Sequence, residues 1–492
     1  MSGAPNRIVV VGRDAALWLA AAALRRALGG AGVEVAAVEL PARLRPGRVH
    51  ASLPPLEALH NRLGLDEATL LRATEGGYAL GWNLVPPAGA PFFLAHGSYG
   101  APIDGNPFLP YWLKARGLGM DAAFEDFSPT AMAARHGRVL LPDAETETFG
   151  RTDYAYHLPA LAYAGLLKGV SHRAGVTLHQ ARDVLVERDA TGDIRAVIAD
   201  AGQRIEGDLF VDASGGDAAL AGDAQPFMRW ADGQAVDRLL VAHAPAFAAV
   251  PVYGEVRIAR DGWLALHATR AGTQVSFALH SAHMSDEEAL AAASVAAKLP
   301  LGDVTIEMID TGRRDAPWAG NCIAIGAAAC RLDPLFDLDL HIAQLGIVHL
   351  LSLFPVSGDV AAERDEYNRI LGSTLARLHD AGAAFHALGR FEGPFWQAAR
   401  ALPVPESVAH KVAAFRARGE IAPMEDETFA PDWWQALFVG LGEAPRSWPP
   451  AIDATPPERI KDEFRRILGF VKRKVLDQPA HDAYLQLQDG GA

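Results

Sequence analysis

The stretch Ile8-Val9-Val10-Val11-Gly12-Arg13-Asp14-Ala15-Ala16-Leu17-Trp18, read together with Val33 to Val38 and Glu39, decides the fold. Four β-branched residues in a row predict a strand buried on both faces, the kind found in parallel sheets. Gly12 ends that strand, an Ala/Leu-rich helix runs from Ala15 to Leu28, and Gly29-Gly30 closes it. Val33 to Val38 is a second strand, and Glu39 stands at its end, where a dinucleotide-binding β-α-β unit offers a carboxylate to a ribose. A tight turn in an ordinary α/β fold and a solvated strand end are the plainer readings of Gly12 and Glu39.

Outward from this unit, Val49 to Leu71 predicts a loop and a helix pair punctuated by Pro54-Pro55, and His157 to Arg173 a helix. Leu178 to Ala201 alternates as strands around a turn at Thr191-Gly192. Leu209 to Asp212 is another buried strand, running into Ser214-Gly215-Gly216. Residues 226–285 alternate as an antiparallel sheet, Cys322 to Gly326 is a strand, and His341 to Leu353 is an apolar helix. From about residue 360 the pattern is helical, broken by prolines at 394, 403, 405, 423, 449 and 450. The expected organisation is an α/β body over 1–355, with a substrate sheet at roughly 226–300, and a mostly helical region over 356–492.

Composition excludes several classes. Of 492 residues, 45 are Lys or Arg and 59 Asp or Glu, and this net charge of −14 argues against a broad nucleic-acid surface. Half the residues are hydrophobic and 21% charged, which excludes wholesale disorder. Two cysteines, Cys322 and Cys330, are too few for a disulfide framework or a zinc site, and the histidines lack metal-ligand spacing, so no metal is expected. The apolar run from Ala15 to Leu24 is well short of the roughly 20 residues that span a bilayer, which predicts a cytoplasmic protein without a membrane segment. Arg13, Arg43, Arg45 and Arg48 make a small basic cluster beside the dinucleotide cleft, either a solvated face or an anion site.

Several motifs, in order, resemble those of the flavin-dependent tryptophan halogenases, a branch of the flavoprotein monooxygenase superfamily. They are Val10-Val11-Gly12 with Trp18 and the alanine run to Leu24, Ala51-Ser52-Leu53-Pro54-Pro55-Leu56, Tyr111-Trp112-Leu113, Tyr154-Ala155-Tyr156-His157 and Asp212-Ala213-Ser214-Gly215. Trp318 to Gly326, Pro334-Leu335, Leu353-Phe354-Pro355, Glu366-Tyr367-Asn368 and Pro394-Phe395-Trp396 complete the series. The resemblance implies a Rossmann-type FAD-binding α/β fold with an antiparallel substrate sheet and a helical C-terminal region. It implies FAD reduced by a separate flavin reductase, oxygen, and chloride or bromide as co-substrate. Hypohalous acid then passes through a tunnel to an indole-like aromatic ligand, with a lysine activating it and a glutamate assisting. It also implies a dimer, homodimeric or paired with an active relative. For the cofactor it points to Gly12, Arg13, Glu39, Ser52, Asp212, Gly215, Gly326 and Pro334.

The sequence departs from that pattern at the chemistry. The lysine motif reads Tyr78-Ala79-Leu80-Gly81, so Ala79 holds the lysine position, and a methyl group neither forms a haloamine nor donates a hydrogen bond. The glutamate motif reads Pro334-Leu335-Phe336-Asp337-Leu338, which puts Phe336 at the glutamate, with Asp337 and Asp339 as the nearby carboxylates. The Trp-x-Trp signature keeps only Trp263. The flavin glycine motif becomes Gly12-Arg13-Asp14-Ala15-Ala16-Leu17, with Asp14 where the backbone normally approaches the pyrophosphate and Arg13 able to offset its charge. Val49-His50 replaces Gly-Glu in the second loop. These changes predict weakened or absent FAD binding and a non-catalytic homologue or partner that has lost halogenation. The alternatives are an active halogenase or monooxygenase with other catalytic residues, and a protein that only binds an aromatic ligand.

Overall fold

The computed structural model describes residues 4–490. They form two compact units, each assembled from three segments of chain. The first comprises Met1–Gly76, Leu158–Ala231 and Asp310–His379; the second comprises Gly77–His157, Asp232–Ile309 and Asp380–Ala492.

The first unit is built on a six-stranded sheet in the order Trp318–Ala319, Cys322–Ala324, Leu209–Ala213, β1 (Arg7–Gly12), β2 (Glu34–Glu39), Thr177–Gln180. All neighbours are parallel except the first pair. Ile8 to Val11 are fully buried, each contributing about 1.5–3 kcal/mol by the usual area relation. Helix α1 (Asp14–Leu28) starts just after β1 and is buried from Leu17 to Leu24. The helices Ala160–Arg173 and Asp339–Ser352 pack on it, and Ser171 donates to the Trp18 carbonyl at 3.1 Å. Gly12 is required by the sheet itself, because a Cβ there would lie 2.4 Å from the Ala213 carbonyl oxygen.

The second unit carries a seven-stranded sheet, Gly302–Met308, Arg238–Ala244, Gly272–Leu279, Gly262–Thr269, Gly254–Ala259, Gly81–Val85, Phe92–Ala95, with one parallel pair, Gly254–Ala259 beside Gly81–Val85. The sheet is wider than 226–300, taking strands from both sides of that range. Gly262–Thr269 and Gly272–Leu279 are buried at every position. One cover is the helix Asp286–Ala297, whose Ala289, Ala293 and Ala297 recur every four residues on its inner face. Ser285 and Glu288 cap that helix reciprocally. Further along, prolines at 394, 431 and 457 each open a helix rather than merely interrupting one.

One local expectation needs correction. His157 belongs to a strand, Ala155–Pro159, and pairs with Gly77; the helix begins only at Ala160. Pro159 allows that start because its missing N–H is not needed at a helix entrance. Among the described residues no helix is long and apolar enough to cross a membrane.

Candidate functional site

In the first unit, β1, Leu209–Ala213 and Cys322–Ala324 run parallel and deliver three loops to one edge of the sheet: Gly12-Arg13, Ser214-Gly215 and Ile325-Gly326. The crevice at the carboxyl ends of such strands is where α/β folds bind dinucleotides. No side chain caps α1, so its first-turn amides have no side-chain acceptor, the arrangement that suits an anion. Arg13 reaches one oxygen of Asp217 at 2.6 Å and Arg43 the other at 2.5 Å. Burial alone would raise the Asp217 carboxyl, but the two guanidiniums outweigh it and hold the group below its ordinary range. The Arg13 Nε is buried without a hydrogen-bond acceptor.

Asp14 adopts φ +56°, the left-handed backbone that glycine favours, and its carboxylate accepts the Arg43 N–H at 3.3 Å. Burial pushes this carboxyl up. Glu39 receives Lys168 on both oxygens, at 2.9 and 2.7 Å, and Gln180 at 3.2 Å. The Lys168 ammonium lies 5.2 Å from the Trp18 ring centroid, a cation–π contact that ties the family tryptophan to the Glu39 end of the crevice. Asp212 turns inward instead. Its carboxylate accepts the Ser214 N–H and hydroxyl and the amides of Leu220 and Ala221, at 2.6–3.0 Å, and so shapes the loop that presents Gly215. Gly215, at φ +77°, has open space where a Cβ would stand, and Gly326, at φ +58°, lies against Ala343.

The second loop is tied down by Asp337. Arg48 pairs with it at 3.0 Å and the Ala51 N–H donates to its other oxygen at 3.2 Å. Asp337 is buried and takes the left-handed conformation, φ +47°, at the end of the turn Pro334–Phe336. Asp339 is exposed and 3.6 Å from the same arginine. Phe336 is 2% exposed and Ser52 3%. His50, in the same loop, is buried, with neither ring nitrogen hydrogen-bonded; burial lowers its pKa to about 4, with Asp337 opposing and Arg48 adding to the shift.

In the second unit, Ala79 ends the strand Gly77–Ala79, buried and opposite Ala155. Gly81, two residues on, could carry no side chain: a Cβ would meet the Leu94 carbonyl oxygen at 2.0 Å. The chain has seven lysines, and none lies in the strand Gly77–Ala79. Lys114 donates to the Ile452 and Thr455 carbonyls, Lys411 pairs with Glu427, and Lys474 with Asp143 and Glu145. Lys298, Lys461 and Lys472 are exposed, and Lys168 holds Glu39 in the other unit. Trp263 is fully buried in the sheet, consistent with packing.

The first unit therefore fits a dinucleotide whose pyrophosphate meets guanidiniums where glycine amides are usual; the buried, acceptor-less Arg13 Nε is the observation that carries the fit. The family described as tryptophan halogenase matches residues 7–457. This chain belongs to the tryptophan halogenase family. It is 24% identical to tryptophan 7-halogenase RebH of Lentzea aerocolonigenes, with all of both chains covered. It is 26% identical to tryptophan 6-halogenase ThaL of Streptomyces albogriseolus, over 95% of this chain and 94% of that one. Among solved structures, BrvH, a flavin-dependent halogenase from Brevundimonas sp. BAL3, superposes with a TM-score of 0.91 at 29% identity, covering 98% and 99% of the two chains.

Asp217, Lys168 and Gln180 were not foreseen from the sequence. Asp217 had a signal, an acid two residues after Gly215 in a loop facing a basic cluster. Lys168 and Gln180 had none, since only the fold brings their elements beside Glu39.

Proposed function

We infer that this protein binds FAD with weakened affinity and an aromatic ligand, and does not halogenate: a non-catalytic member of its family. The observation that carries this is the buried methyl of Ala79 at the family lysine position, in a chain whose seven lysines are all engaged or exposed elsewhere. FAD, reduced by a separate reductase, would supply the oxygen chemistry that oxidises halide. The chain's own part is binding. Arg13, Arg43 and the first-turn amides of α1 take the pyrophosphate, Glu39 the ribose, and the Gly215 and Gly326 loops give room for the rest of the cofactor. Delivering halogen to an aromatic ring requires, in the family, an amine and a carboxylate. Asp337 does not supply the latter, because its oxygens are committed to Arg48 and Ala51.

The test is product analysis with reductase, FAD, NADH, bromide and tryptophan or indole, beside an FAD titration. FAD binding without brominated product is expected. A bromide-dependent product overturns the loss of halogenation, and protein that takes up no FAD overturns the cofactor assignment.

A further inference from the structure

The second unit contains a cavity of about 640 Å³ that none of the family motifs reaches. It lies within the size range of small-ligand pockets. The loop from Ser98 to Pro110 forms one side and the start of the helix Pro431–Gly440 the other. Phe108 and Phe149 supply aromatic wall, each held from behind by a further ring: Phe108 by Phe127 at 4.8 Å between centroids, Phe149 by Phe470, stacked at 4.5 Å. Rings fixed in this way present a preformed apolar surface.

The polar groups are one-sided. Asp432 and Glu420 line the cavity, and no lysine, arginine or histidine does. Glu420 is half exposed and engaged by Arg418 at 2.6 Å, which makes it a rim charge. Asp432 is the inner one. It is the second residue of its helix and lines the cavity beside Ser98, whose hydroxyl accepts the Arg151 backbone N–H at 3.0 Å. Burial raises the Asp432 carboxyl, with Ser98 and Arg151 opposing, so the site favours a partner that brings positive charge.

We propose that this cavity binds a small aromatic amine lacking a carboxylate, with Asp432 receiving the ammonium and Phe108 and Phe149 bounding the ring. This deepens the ligand-binding reading under the proposed function and rests on it. An amino acid would bring its α-carboxylate up to Asp432 in a cavity lined by no lysine, arginine or histidine, a repulsion that selects against it by at least tenfold. An aromatic acid without an amine would meet the same repulsion and gain nothing from Asp432.

Calorimetric titration of the full-length protein with tryptamine, tryptophan and indole-3-propionate tests the proposal. Tryptamine is expected to bind at least tenfold more tightly than tryptophan, and indole-3-propionate not to bind. Asp432→Asn keeps the side chain's size and removes its charge, and is expected to weaken tryptamine at least tenfold. Ala101→Phe, which fills the cavity from its lining, is expected to abolish binding with the melting temperature preserved. Equal affinity for tryptophan and tryptamine, an unchanged tryptamine affinity in Asp432→Asn, or no binding of any of the three overturns the proposal. A brominated product would overturn the non-catalytic reading and leave this selectivity standing, so the two failures are distinguishable.

Discussion

Replacing Asp14 by glycine puts the flavin assignment at greatest risk. At φ +56° a side chain costs about 1–2 kcal/mol, which glycine removes. Glycine loses about 0.5–1 kcal/mol in chain entropy and gives up a carboxylate at a helix N-terminus, worth about 0.3–1 kcal/mol. The two sides cancel to within about 1 kcal/mol, so the melting temperature is expected to move by only a few degrees. Pyrophosphate binding has no such cancellation. Unit charges about 6 Å apart at an effective dielectric near 20 repel by about 3 kcal/mol. Asp14 is half-buried, so solvent screening roughly halves this, leaving about 1.4 kcal/mol, or tenfold in Kd. Titration monitored by FAD fluorescence is therefore expected to show Asp14→Gly binding about tenfold more tightly at low salt. The gain should shrink at about 1 M salt, where the Debye length is about 3 Å. Because burial raises the Asp14 carboxyl, acidification neutralises it in the wild type, whose FAD affinity should rise toward lower pH while that of Asp14→Gly does not. Unchanged or weaker FAD binding in Asp14→Gly refutes the placement of pyrophosphate at this turn.

Packing dictates three further outcomes. Gly12→Ala sets a methyl 2.4 Å from the Ala213 carbonyl oxygen, and chemical denaturation should show a loss of several kcal/mol or no folded protein; a variant as stable as the wild type contradicts the strand spacing. Asp337→Ala removes the ion pair to Arg48 and the acceptor of the Ala51 N–H and should lose about 2 kcal/mol, less than a fully buried pair because Arg48 is one-fifth exposed; a change under about 0.5 kcal/mol would remove its anchoring role. His50, His60 and His341 have pKa values lowered by burial to about 4. Below pH 6.5 the unfolded chain binds protons that the folded one refuses, so stability falls as pH drops toward 4, by about 3 kcal/mol per histidine. Circular dichroism should place acid unfolding within that window, and His50→Gln should move its midpoint lower; a fold intact at pH 4 contradicts the burial.

The dinucleotide unit was legible because its signals are local: a β-branched run, a glycine, a helix and an acid lie within 39 residues. The strand at His157 was not, since Tyr154 to Pro159 runs directly into helix-forming sequence and only pairing with Gly77 separates the two. Ala79 and Phe336 stand out in the sequence because each falls where the family resemblance implies a reactive side chain. The ion pairs around Glu39 and Asp217 join residues 129 and 204 apart in sequence, and no periodicity announces such partners. The cavity beside Asp432 was invisible for the same reason, its walls coming from loops with no shared pattern.

The Asp337–Arg48 pair also sets the terms on which a carboxylate could be placed at Phe336. A glutamate grafted at Phe336 would arrive next to an acid that already absorbs the arginine's charge, in a region that excludes water. The newcomer would take up a proton instead of ionising, or pull Arg48 away and release the Val49–Ala51 strand. Seating an ionised glutamate at Phe336 therefore requires exchanging Asp337 for a neutral residue in the same step, so the two neighbouring positions can only be changed together.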